Sequence, residues 1–142
     1  MLTGIRNSER VLGLCALAGV ALSACSGLEL EQDPPAFSPA LTQARVLDIQ
    51  ASRRGTTLYM TNTTARPYGA GRLWINQRFS AETKEFEIGQ TFELDLRAFV
   101  DEEGRRFRAG GFFATREPDD VVIAQLETGG ELLGIVVVEN RD

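Results

Sequence analysis

Thr91-Phe92-Glu93-Leu94-Asp95-Leu96 alternates without a break, with Phe92, Leu94 and Leu96 on one side and Thr91, Glu93 and Asp95 on the other. Successive side chains of a strand point to opposite faces, so the pattern predicts a strand with one face on a core and the other in water. Half-buried antiparallel sheets are built this way, with acidic residues outward and apolar ones inward.

Working outward from it, the same period returns upstream. Val46 to Ser52 places Leu47, Ile49 and Ala51 on one face, and Thr56 to Asn62 places Leu58 and Met60 opposite Thr57, Tyr59 and Thr61. The short, glycine-bearing Arg53-Arg54-Gly55 between them predicts a hairpin. Thr63 to Gly71, with Pro67, Gly69 and Gly71, reads as a loop. Arg72 to Phe79 predicts one further strand, with Leu73 and Ile75 facing away from Arg72, Trp74 and Asn76, and Phe86 to Ile88 a short one. Downstream, Ala98 to Gly104 reads as a single helical turn closed by Gly104. Arg105 to Thr115 has no period. Val121 to Leu126 and Leu132 to Val138 flank Thr128-Gly129-Gly130, a second hairpin signal. The last run is almost continuously apolar, which predicts a central strand covered on both faces, or one covered by the loop around Phe112.

About seven short strands joined by Gly and Pro turns predict an all-β fold, a single antiparallel β-sandwich over residues 44–140. The strand end Leu58-Tyr59-Met60-Thr61-Asn62, the strand Leu73-Trp74-Ile75-Asn76 and Gly89-Gln90 before Thr91 to Leu96 resemble immunoglobulin-like and fibronectin-type modules. The resemblance spans about half the domain and concerns fold class only. There is no cysteine pair of the antibody type.

The N-terminal segment carries a different message. Arg6 and Arg10 precede an apolar run, Val11 to Ala21, too short for the roughly 20 residues of a bilayer-spanning helix and without a polar face. It ends in Leu22-Ser23-Ala24-Cys25. This resembles the signal sequence of a bacterial lipoprotein, and the resemblance implies a signal helix over residues 1–24, cleavage between Ala24 and Cys25, and acyl chains on Cys25. Two or more chains make a stable anchor, at about 0.8 kcal/mol per buried methylene. Ser26, where Asp would favour inner-membrane retention, implies the outer membrane in a host with two. Residues 25–43, with Pro34, Pro35 and Pro39, read as a disordered tether, in which Phe37 is a candidate for docking onto the domain.

Composition removes several kinds of chemistry. The net charge is −5, and removal of Arg6, Arg10 and Glu9 with the leader makes it one unit more negative. That balance argues against a nucleic-acid partner and against adhesion to anionic headgroups. With Cys15 in the leader and Cys25 acylated, the mature domain holds no thiol, and the chain has no histidine. Disulfides, Cys-based metal sites and a Ser-His-Asp triad are excluded, and no cofactor or metal is expected.

The candidate site residues are few. Tyr59 and Trp74, opposite their strands' aliphatic residues, would form an exposed partner-binding pair if their strands share a sheet, unless a loop or the Pro-rich tether covers them. Asp101, Glu102 and Glu103, with Asp119 and Asp120, could surround calcium or simply form a solvated turn. Gly110-Gly111 among Arg105, Arg106, Arg108 and Arg116 could cradle an anion, or mark a strand corner that needs glycine. Asn62-Thr63-Thr64 matches a glycosylation sequon by chance. The expected function is a membrane-anchored, non-catalytic envelope module that binds a protein or envelope polymer. One alternative is an accessory lipoprotein for secretion or assembly, pairing a sheet edge with a client strand. A remote one is a glycosidase drawing paired carboxylates from Asp95, Asp101, Glu102 and Glu103.

Overall fold

The first hairpin forms where the alternation places it. Strands β1 (Gln43–Arg54) and β2 (Thr57–Thr61) pair antiparallel with Arg54 opposite Thr57, and Gly55 takes the positive φ of the turn, +57°. A residue with a Cβ is strained there, which is why glycine closes the hairpin. The computed structural model describes residues 33–138. The remaining strands are β3 (Gly71–Ile75), β4 (Phe79–Thr83), β5 (Thr91–Asp95), β6 (Ala124–Thr128) and β7 (Glu131–Val138), and a 3₁₀ turn, Leu96–Ala98, follows β5.

The fold is all-β with seven strands, as the alternation predicts. They form one continuous sheet in the order β4-β3-β6-β7-β1-β2-β5, curled into a half-barrel that encloses its apolar face. Every neighbouring pair is antiparallel except one. β1 and β7 run parallel, with register shifts between Gln43 and Arg45 and between Leu47 and Gln50. Local patterning cannot specify that pair, because the chain ends are brought together only by the closure of the whole sheet. β7 is the central strand, with Leu132, Leu133, Gly134 and Ile135 buried, which accounts for its unbroken apolar run.

The concave face gathers Leu47, Ile49, Leu58, Met60, Leu73, Ile75, Leu126 and Leu133. Phenylalanines from the loops fill it. Phe86 stacks on Phe92 with centroids 4.2 Å apart, and Phe107 meets Phe79 edge-to-face at 5.3 Å. Each buried ring contributes about 1.5–3 kcal/mol by leaving water.

Three local expectations are corrected. Arg72 to Phe79 is two strands, because the chain reverses at Asn76 and Gln77, both at φ +54°, with the Arg78 N–H bonded to the Ile75 carbonyl at 3.1 Å. Asparagine tolerates that backbone region better than most residues, and the Asn76 side chain is fixed by bonds to Asp120, Val122 and Ile123. Phe86 to Ile88 contributes only one bridge, Tyr68 to Phe86. The helical turn lies at Leu96–Ala98, capped by Asp95, rather than running to Gly104. A carboxylate-centred turn occupies residues 101–105 instead.

Candidate functional site

Between β5 and β6 the chain makes two irregular excursions that meet at Arg108. The first is organised by Asp101, which is 1% exposed. Its Oδ1 accepts backbone N–H bonds from Glu103 (3.1 Å) and Arg105 (2.9 Å). Its Oδ2 accepts from Arg78 (2.9 Å) and from Nε of Arg105 (2.9 Å). Burial alone would push this carboxyl up, but the Arg78 guanidinium and the donors of Arg105 and Glu103 outweigh it and hold the group well below the ordinary carboxylate range. Gly104, at φ +74°, lets the turn close around the oxygens. This geometry is an anionic hub for arginines, not an open cation cage, and among the described residues no cluster of acidic side chains has the arrangement of a metal site.

The second excursion, residues 109–118, is closed at its base. The Asp119 N–H donates to the Arg108 carbonyl at 2.8 Å, and the Arg108 guanidinium pairs with the Asp119 carboxylate. That pairing lowers the Asp119 pKa, mainly through the Arg108 side-chain hydrogen bond. Arg53, on β1, clamps both ends by donating to the carbonyls of Ala109 (2.6 Å) and Asp119 (2.5 Å). Gly110 (φ +79°) packs against Pro118, and Gly111 (φ +124°) starts a β-turn closed by the Ala114 N–H bonding to the Gly111 carbonyl at 3.0 Å. Phe112 and Phe113 are the two central residues of that turn. They are 96% and 90% exposed, their rings edge-to-face with centroids 5.0 Å apart. The loop around Phe112 therefore displays its rings, while Gly110, Gly111 and Ala114 border the Val137 and Val138 end of β7.

Near the base of this excursion lies a cleft of about 500 Å³ lined by Arg78, Arg105, Arg106, Arg108 and Arg116, with Asp119, Asp120 and Val122. Arg78 and Arg105 are engaged by Asp101, and Arg108 by Asp119. Among the described residues Arg106 and Arg116 make no ion pair. The arginines of the stretch read as a possible anion cradle thus gather at one cleft, whereas Gly110 and Gly111 line another with Arg53, Val137 and Val138, and of these arginines Arg116 alone borders both.

The structure does not bring Tyr59 and Trp74 together. β2 and β3 lie near opposite ends of the sheet order, with β6, β7 and β1 between them. Trp74 is on the face away from the core, as the alternation requires, yet only 2% exposed. Phe37, from the Pro-rich segment, covers it edge-to-face at 5.2 Å, and its indole N–H donates to Glu127 at 2.7 Å. Tyr59 is half-buried, with the Arg54 guanidinium 5.4 Å from its ring centroid. The exposed aromatic pair is replaced by a stapled tether at one end and a cation–π contact at the other.

Asn62 of the sequon is buried, its amide donating to the carbonyls of Arg66 (2.8 Å) and Phe86 (3.0 Å). It organises the 63–70 loop and is not presented for modification. Ala24, Cys25 and the leader lie outside the described residues. The exposed Phe112–Phe113 turn was missed in the sequence because a lone Phe-Phe reads as core; the glycines before it and Pro118 after it were the available turn signal. Comparison with family models, with curated proteins and with solved structures returned no match.

Proposed function

We propose that this chain is a bacterial envelope lipoprotein, anchored through acyl chains on Cys25, whose folded domain is a non-catalytic binding module. The anchor rests on the Leu22-Ser23-Ala24-Cys25 motif after a basic and then apolar leader, and Ser26 favours the outer membrane. The binding role rests on one observation: a turn pinned at its base by Arg53, Arg108 and Asp119 holds two phenyl rings in solvent. The non-catalytic reading is supported by the use made of the carboxylates. Asp95 is bound to Arg97, Asp101 to Arg78 and Arg105, and Glu103 to Arg105, so three of the four glycosidase candidates are engaged in ion pairs.

The accessory-lipoprotein alternative has one observation in its favour. β5 pairs only with β2 among the described strands, which leaves an edge for a client strand, whereas β4 is bridged on its outer side by Val100. In the native host, the parent protein should take up labelled fatty acid and sediment with membranes. Cys25→Ala should lose the label and leave the membrane fraction. A parent that carries no label, with the variant still membrane-bound and its leader intact, would overturn the anchoring.

A further inference from the structure

We propose that the Phe112–Phe113 turn is a membrane-docking tip: its rings enter the acyl boundary while Arg106 and Arg116 take the phosphates of anionic lipids. Leaving two phenyl rings in water forgoes about 1.5–3 kcal/mol of burial for each. Turn positions ordinarily go to Gly, Pro, Asn, Asp or Ser, for which exposure costs nothing. The exposure of the rings is not the fraying of a loose loop, because the base is closed by a backbone bond, an ion pair and the two bonds of Arg53. Val122, also exposed, lines the adjacent cleft and extends the apolar surface.

The charge around the turn completes the match. In a chain of net charge −5, five guanidinium groups line one cleft. Asp101 and Glu103 hold Arg78 and Arg105, and Asp119 holds Arg108, while Arg106 and Arg116, like Asp120 in the same cleft, are exposed with no ion pair among the described residues. Arg116 lies three residues from Phe113, within about 10 Å along the chain. Interfacial segments combine apolar residues that sink roughly 5–10 Å below the headgroups with arginines that stay at phosphate level. A convex tip suits a fluid surface, since a folded protein partner would need a groove shaped to receive it. The net charge argued against headgroup adhesion, but the cleft near the base of this loop sets five arginines against two acidic lining residues, Asp119 and Asp120.

The choice of a bilayer as occupant rests on the anchoring proposed above. The eight peptide links from Cys25 to Asp33 span at most about 30 Å, so an acylated Cys25 would keep the domain within reach of the surface. The tip would then set the orientation of a domain that the lipid alone leaves free to tumble.

The test uses the full chain, as processed by its host, with Phe112→Trp, mixed with vesicles of equal parts phosphatidylglycerol and phosphatidylcholine whose acyl chains carry bromine. The parent, with only the covered Trp74, supplies the background. The new indole should shift to the blue and be quenched by the bromines. Quenching should fall several-fold in phosphatidylcholine alone, or when Arg106→Ala and Arg116→Ala are added. Emission that stays water-like and unquenched in the anionic vesicles overturns the proposal, as does a blue shift seen only when envelope proteins are added. Fatty-acid labelling of Cys25 is read separately. An unlabelled chain whose indole is still quenched loses the anchor and keeps the tip, and a labelled chain with no quenching does the reverse.

Discussion

Phe107 and Phe112 stand on either side of Arg108, in one continuous irregular stretch, and have opposite fates. Phe107 is buried against Phe79 in the core, while Phe112 stands almost free of the protein. The difference lies in what each flanking segment does with its charge. Residues 99–107 fold inward because Asp101 collects Arg78, Arg105 and two backbone N–H groups, and the backbone N–H of Phe107 bonds the carbonyl of Phe99 at 2.9 Å. Residues 109–118 are held only at their base, so their turn projects. Identical side chains are sorted by the polar framework that carries them, not by their own hydrophobicity.

The largest expected effect comes from exchanging the same atoms at the two sites. Phe107→Ala should lose about 3–5 kcal/mol of stability in urea denaturation, whereas Phe112→Ala should change it by no more than about 0.5 kcal/mol. Equal losses would mean that the turn packs against the domain in solution.

The hub is the next point of attack. Asp101→Asn removes the charge that gathers Arg78 and Arg105 and should destabilise the domain at neutral pH. The folded Asp101 pKa is depressed, so its contribution is complete above the unfolded value of about 3.9 and is lost as pH falls through the folded one. The gap between parent and variant should therefore close on acidification below about pH 4, measured by thermal melts across pH. A gap that persisted or widened there would show that Asp101 acts by packing rather than by charge.

Arg53→Ala should cost about 1.5–3 kcal/mol, the range for hydrogen bonds from a charged group. Hydrogen exchange should speed up at Ala114 and Asp119, in the second segment, and be unchanged at Phe107 in the first. The smallest effect is expected far from both, where Phe37→Ala removes an edge-to-face contact worth about 0.5–1.5 kcal/mol. Trp74 is the single tryptophan, so its emission should move to the red; an unmoved spectrum would mean that the Pro-rich segment does not lie on it in solution.

Much of this could be read directly from the residues, and the parts that could not share a cause. Leu47, Ile49, Leu58, Met60 and Phe92 point inward because strand side chains alternate, a property of each segment alone. The glycine hairpins at Gly55 and at Gly129-Gly130 were legible because their backbone conformations exclude most other residues. The break at Asn76-Gln77 was not legible. Nothing local distinguishes that run from a continuous strand, and the turn is held by bonds from Asn76 to residues more than forty positions away.

By itself, then, the sequence determined the all-β class, the strand faces and the lack of any histidine, and it placed both cysteines, Cys15 and Cys25, ahead of the folded strands. Only the tertiary structure decided that β1 and β7 lie parallel, that Phe37 covers Trp74, that Asp101 is buried among arginines, and that Phe112 and Phe113 face solvent. These are contacts between segments remote in the chain. Their free energy exists only once the sheet has closed, and no periodicity of neighbouring residues encodes it.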